Sequence, residues 1–252
     1  MRSINKNMQR PMFKKKSRSS SSSTIKSLPK ELLVEIVASV ASHSFVDLHK
    51  VKKSCKDLLE AAEDNYVYRR VSLDKLSFIP RSSNDKELLF LKRCKENQNT
   101  ESLYREGLRE CLGNENAEGL RLLDMAAKEG HKEAKYVYGM ILLCSSRQDE
   151  KLIELGLRHL RFLRESKCVV KTRKKVEEFV RIIIWKNKGM VISRINRKLL
   201  LCPFKNTCKG WRVKKGRWTL HDDDDDDIVI DSCEYCRWDY ELKFFYRLMN
   251  IN

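Results

Sequence analysis

The sequence predicts an all-α protein in three parts: a three-helix unit near the amino terminus, a short α-solenoid of helical hairpins, and a small irregular Cys-containing module at the carboxyl end. Three observations carry this. Glycine and proline are scarce, at 9 and 4 of 252 residues, and 35% of residues are charged, which suits helices with charged outer faces. Apolar residues recur every three or four positions within each block. One block also repeats itself internally. The expected boundaries are a basic Ser-rich tail at 1–26, the helical unit at 27–75, the repeats at 86–190 and the Cys/Trp-rich module at 199–252. With 41% hydrophobic residues, the chain can bury a core.

The tail carries Lys14-Lys-Lys-Ser-Arg18, a serine run and few apolar residues, so it is read as disordered. A plain solvated tail, a nuclear-localisation or phosphate-binding patch, and an organellar transit peptide all fit it. It holds eight basic residues and no acid, leaving +9 of the net +17 for the rest of the chain. There the basic residues interleave with acids, which argues against a nucleic-acid partner. No apolar run approaches the length that spans a bilayer, and no apolar signal core follows Met1. The expectation is therefore an intracellular protein without a membrane partner, in the nucleus and/or cytoplasm. Its 9 cysteines would stay reduced or bind metal.

In the first helical unit, Pro29 suits a first helical turn and Glu31 places negative charge at the positive helix end. Leu32, Leu33, Ile36, Val37 and Val40 follow at helical spacing. Ser44 with Asp47 three residues on is a capping-box start, and Leu48, Val51, Cys55, Leu58 and Leu59 continue behind it. At Leu28, Pro29, Glu31, Leu32, Leu33, Glu35, Ile36, Asp47, Leu48, Val51, Cys55 and Lys56 the stretch resembles an F-box. Leu58 stands where many members carry tryptophan. The resemblance implies docking onto a Skp-type adaptor and, through it, a cullin–RING ubiquitin ligase. Leu28, Pro29, Leu32, Leu33, Ile36, Leu48, Val51 and Cys55 form the expected adaptor-binding set. The plain alternative is a helical hairpin that only caps the next domain.

Proline and turn formers at Ile79 to Asp85 mark a boundary. Beyond it, Asn99 to Gly107 aligns with His131 to Gly139, and Gly119 to Leu123 aligns with Gly156 to Leu160. The offset grows from 32 to 37, which places an insertion in the polar Ser145 to Asp149 loop. Small residues at Ala126, Ala127, Ala134 and Gly139 are expected to let helices approach closely, with Tyr104, Tyr136, Leu122, Leu123, Leu142 and Leu160 filling between hairpins. Ala126 to Gly139, with its Ala-Ala-x-x-Gly-His-x-x-Ala core, resembles the Sel-like branch of the tetratricopeptide superfamily. Ala126, Ala127, Gly130, Ala134, Tyr136 and Gly139 are the expected repeat core. Such stacks bind protein partners or act as rigid spacers. Val176, Phe179, Val180, Ile183 and Ile184 have helical spacing and read as a capping helix with a solvated basic face.

The last block holds Cys202, Cys208, Cys233 and Cys236. The Cys233-Glu-Tyr-Cys236 knuckle offers two thiolates to one tetrahedral edge, so structural zinc competes with ordinary reduced cysteines; no other cofactor is expected. The first pair is spaced more widely than usual, and His221 is a substitute ligand. Trp211, Trp218, Tyr235 and Trp238 are candidate apolar shell. The run Asp222 to Asp227 lacks a calcium loop's alternation and turn glycine and reads as a solvated acidic loop. With the earlier blocks, Cys233, Cys236, Trp238, Glu241, Leu242 and Phe245 resemble a plant family of F-box proteins. The function this implies is a non-catalytic substrate receptor that presents an unknown protein substrate for ubiquitination. The sequence shows no catalytic triad order, phosphate loop or metalloprotease motif. A basic nucleic-acid-binding protein and a non-ligase scaffold are the rival classes.

Overall fold

The structure, a computed structural model, describes residues 28–78, 85–113, 117–145, 149–186, 201–203 and 233–249. The tail at 1–26, the boundary turn at 79–84, the insertion at 146–148, Cys208, Trp211, Trp218, His221 and the aspartate run lie outside the described residues. All regular elements among the described residues are helices, as the low glycine and proline content predicts. No helix among them is long and apolar enough to cross a membrane.

The first unit contains α1 (Lys30–His43), α2 (Phe45–Lys52), α3 (Lys56–Ala62) and a fourth helix, α4 (Asn65–Arg70). Pro29 stands at the N-cap of α1, where its carbonyl accepts the Leu33 amide at 3.2 Å. Ser44 caps α2 by accepting the Asp47 amide at 3.1 Å, and Asp64 caps α4 through the Tyr66 amide at 2.9 Å. Leu33, Val34, Val37, Ala38 and Ala41 of α1 join Leu48, Ala61, Ala62, Val67 and Tyr68 in one apolar cluster. The helix α5 (Asp85–Glu96) opens the block expected to be repeats, yet Phe90, Leu91 and Cys94 pack on this first cluster. Phe90 meets Phe45 edge-on with ring centroids 4.9 Å apart.

The stack consists of α6 (Thr100–Gly113), α7 (Ala117–Lys128), α8 (Lys132–Ser145), α9 (Glu150–Glu165) and α10 (Val169–Lys186). α6 pairs with α7, and α8 with α9, so the two aligned sequence copies are two helical hairpins. Close approach inside each hairpin comes from reciprocal glycines. A Cβ on Gly107 would sit 3.0 Å from the Gly119 carbonyl, and one on Gly156 3.0 Å from the Gly139 carbonyl. Ala126, Ala127 and Ala134 are fully buried but lie where one hairpin meets the next, around the α7–α8 turn. Gly130 is a correction to the expected repeat core. It is exposed, and a Cβ there would touch nothing within 4 Å. Its φ of +94° closes α7, with the Gly130 amide reaching Ala127 and the His131 amide reaching Ala126.

The same turn recurs where sequence matching saw nothing. Gln98 at φ 58° ends α5 and Lys167 at φ 50° ends α9, each with the same pair of amide-to-carbonyl bonds. Gln98, Gly130 and Lys167 are separated by the repeat's own offsets, so α10 begins a third copy. The carboxyl block, expected as a small irregular module, supplies α11 (Glu234–Leu248). Trp238, Leu242, Phe245, Tyr246 and Met249 join the repeat core rather than forming a core of their own.

Candidate adaptor-docking surface and the joints behind it

The apolar positions of α1 divide between two faces. Leu33 and Leu48 are interior, at 7% and 1% exposure, and pack the unit together; they are corrected out of the adaptor-binding set. Leu32 and Ile36, four residues apart on α1, stay half exposed at 52% and 50%, and Leu28, just before the N-cap Pro29, is exposed as well. Pro29 and Cys55 are exposed, and Val51 is half-buried. Leu59 of α3, on the helical periodicity, is exposed too, and Val46 of α2 and Tyr66 of α4 are further exposed apolar side chains that periodicity did not single out. Leu58, by contrast, packs against the cluster. Cross-helix pairs hold these helices in register: Lys30 with Glu60 at 2.8 Å, and Arg70 with Glu35 at 3.7 Å. Both are solvated and contribute little by themselves. Glu63 is better placed, accepting from Lys52 at 2.8 Å, the Tyr68 hydroxyl at 2.7 Å and Arg93. Burial pushes its carboxyl up, but these three partners outweigh that and hold it at about 2.

A polar weld joins this unit to the stack. Asn99 is buried, and its amide nitrogen donates to the carbonyls of Tyr68 at 3.1 Å, Arg69 at 3.1 Å and Val71 at 2.8 Å. Its Oδ1 accepts the Ser102 amide at 3.1 Å, so the same side chain caps α6. Six residues on, Arg105 donates to the carbonyls of Leu73 at 3.0 Å, Leu76 at 3.1 Å and Ser77 at 3.3 Å. Glu101 receives Arg105 Nε at 2.5 Å and lies 2.7 Å from His131 Nε2. Burial raises the Glu101 carboxyl, yet His131 and Arg105 hold it at about 2. His131 also stacks on Tyr104, with centroids 4.6 Å apart. The connector from α4 is thus bonded along its backbone to two side chains of α6, which fixes how the stack leaves the first unit. The sequence shows only the i,i+4 pairing of Arg105 with Glu101, because its partners in the connector are main-chain carbonyls.

At the other end, α11 lies on the side of the stack made by α8 and α10. The buried Glu241 receives Arg173 through Nε at 2.7 Å and a terminal nitrogen at 2.9 Å, and the Tyr136 hydroxyl at 2.6 Å. Tyr136, an expected core residue, is fully buried, and its ring meets Phe245 edge-on. Arg161 of α9 adds a two-point contact to Glu234, at 2.7 and 2.9 Å. Of the four expected metal ligands, Cys202, Cys233 and Cys236 come together, while Cys208 lies outside the described residues.

Residues 73–181 match the family model described as plant tetratrico peptide repeats, a span that starts at the weld and ends in α10. The chain is 29% identical over 227 residues to the protein named "Putative F-box protein At1g67623" of Arabidopsis thaliana, covering 87% of this chain and 76% of that one. It is 36% identical over 129 residues to F-box protein At2g35280 of the same plant, covering 51% of this chain and 78% of that one. The chain belongs to the plant F-box proteins with helical repeats. No solved structure matches it. In this F-box protein the residues that quoted the F-box pattern do two separate jobs: Leu33 and Leu48 build the unit, while Leu28, Leu32 and Ile36 face outward.

Proposed function

We propose that this F-box protein is the substrate-receptor subunit of a Skp–cullin–F-box ubiquitin ligase. The observation that carries the reading is the outward pair Leu32 and Ile36 on a helix whose opposite face is already packed, with the exposed Leu28 just before its N-cap. The exposed halves of these leucine and isoleucine side chains contribute nothing to the folded unit and become favourable when a partner covers them. Each, now half exposed, adds about 1 kcal/mol when the rest of its surface is buried. The adaptor docks on this face, with Val46 and Leu59 as further apolar contacts. The repeats hold the protein substrate at a distance set by the Asn99 and Arg105 weld. Catalysis is by proximity: the receptor raises the local concentration of a substrate lysine beside the ubiquitin-conjugating enzyme, and no bond is made or broken by this chain. The reading places the protein in the nucleus or cytoplasm, with the ligase.

The test is binding of the full chain to a purified Skp-type adaptor, beside the Leu32→Asp, Ile36→Asp variant. Two exposed positions are changed, so the variant keeps its helical content. It is expected to lose affinity by roughly 100-fold, about 3 kcal/mol. No binding by the folded parent, or equal binding by the variant, overturns the docking assignment and leaves the protein an interaction scaffold.

A further inference from the structure

The geometry points to a structural zinc site formed by the thiolates of Cys202, Cys233 and Cys236, which fastens the segment 201–203 to the start of α11. The three Sγ atoms all lie within 4.8 Å of one another, and Cys202 and Cys233, 31 residues apart, approach to 3.9 Å. A tetrahedral zinc with bonds of about 2.3 Å holds its sulfurs about 3.8 Å apart. A disulfide brings them to about 2.05 Å, so the observed spacing excludes that bond and has room for one ion between the sulfurs.

The surroundings are those of a metal knuckle rather than of apolar packing. Cys233 occupies the N-cap of α11 and accepts the Cys236 amide at 3.3 Å, so its sulfur sits at the positive end of a 15-residue helix. The buried Asp239 accepts the amides of Leu201 at 2.6 Å and Cys202 at 3.0 Å. That carboxylate orients the Cys202 segment from the turn of α11 below the cysteines, as partners beyond the ligands do in built metal sites. Three soft sulfur donors select zinc over hard cations and leave one tetrahedral position for a further donor. On binding, each thiol gives up its proton and the sulfur lone pair goes to the metal, with no oxidant or reductant needed.

The consequence reaches past the ion. The same helix carries Glu241 to Arg173 and Tyr136, so zinc at its first turn stabilises the docked position of α11 on α8 and α10. The proposal is independent of the ligase reading and survives or fails without it.

The test uses the full chain, purified with zinc in the medium and then handled under reducing conditions. One zinc per chain is expected by mass spectrometry of the metal. Cobalt added after zinc removal is expected to give the intense sulfur-to-cobalt charge-transfer absorption and to be displaced by zinc. Alkylation followed by peptide mapping is expected to find Cys202, Cys233 and Cys236 protected until a chelator is added, while the exposed Cys55 reacts throughout. The Cys233→Ser, Cys236→Ser variant is expected to lose the ion and the cobalt absorption. A parent chain that binds neither metal, an unchanged cobalt absorption in the variant, or a Cys202–Cys233 disulfide found by mapping overturns the proposal. If the variant does not fold, chelator-dependent protection in the parent decides: protection of these three thiols supports the site, and its absence overturns it.

Discussion

Asn99 does two jobs with two ends of one amide, and substitution separates them. In Asn99→Ala, α6 loses its N-cap, a loss of about 1 kcal/mol. The carbonyls of Tyr68 and Val71 lose a buried donor as well. Each bond is worth about 1 kcal/mol, and more where the carbonyl is left without a partner. The sum is about 3 kcal/mol, which for a chain of this size corresponds to roughly 6–12 °C in melting temperature. Asn99→Asp discriminates the two roles. Aspartate caps a helix as well as asparagine, so a capping role alone predicts little change. It also turns a carboxylate oxygen toward three carbonyls in place of an NH2 donor, so the weld predicts a loss at least as large as that of alanine. Urea unfolding followed by circular dichroism measures both, with an unchanged slope indicating that only stability moved. An aspartate variant as stable as the parent would refute the weld, and an alanine variant within about 0.5 kcal/mol of the parent would refute both roles.

Glu101 is held at about 2, well below an ordinary carboxylate, so its contribution is complete above the unfolded-state pKa and disappears as pH falls from about 5 toward 2. Glu101→Gln is expected to be less stable at pH 7, by at most about 3 kcal/mol, and to lose less stability on acidification; parallel stability curves from pH 7 to 2 would contradict this. Gly119→Ala places a Cβ 2.7 Å from the Cys111 amide nitrogen, a backbone atom that cannot step aside. Calorimetry is expected to show a loss of about 3 kcal/mol, at the upper end for overpacking, despite alanine's better helix propensity. Lys167→Gly relieves a left-handed residue that is exposed, and a gain of about 0.5–1 kcal/mol is expected in urea unfolding. An equal loss would show that the lysine side chain contributes more than its backbone strain removes.

Periodicity and motif spacing identified the helical unit and two hairpins, because those signals are local. Ser44 and Asp47 announce their cap within four residues, and the glycines at 107 and 139 mark the same place in both copies. The third copy escaped because Lys167 stands where Gly130 does, and Arg173 where Tyr136 does. The αL turn is a backbone conformation that a lysine can adopt at some strain, so it leaves no fixed letter. The amide pattern of the turn survives the change of residue.

What the sequence by itself determined is the helical class, the family, and the segments that form helices; these depend on residues three or four apart. Tertiary structure alone decided which face of each helix is inside. Leu32 and Leu33 are adjacent and equally apolar, yet one is half exposed and the other buried, because α1 is covered by α3 and α4 on one side only. It also decided that the helix α11 of the carboxyl block packs into the repeat core. Glu241 and Arg173 lie 68 residues apart, and neither letter says that the other will neutralise it. A buried charge is tolerated only where a distant partner arrives with the right geometry, and that pairing exists only once the chain has folded.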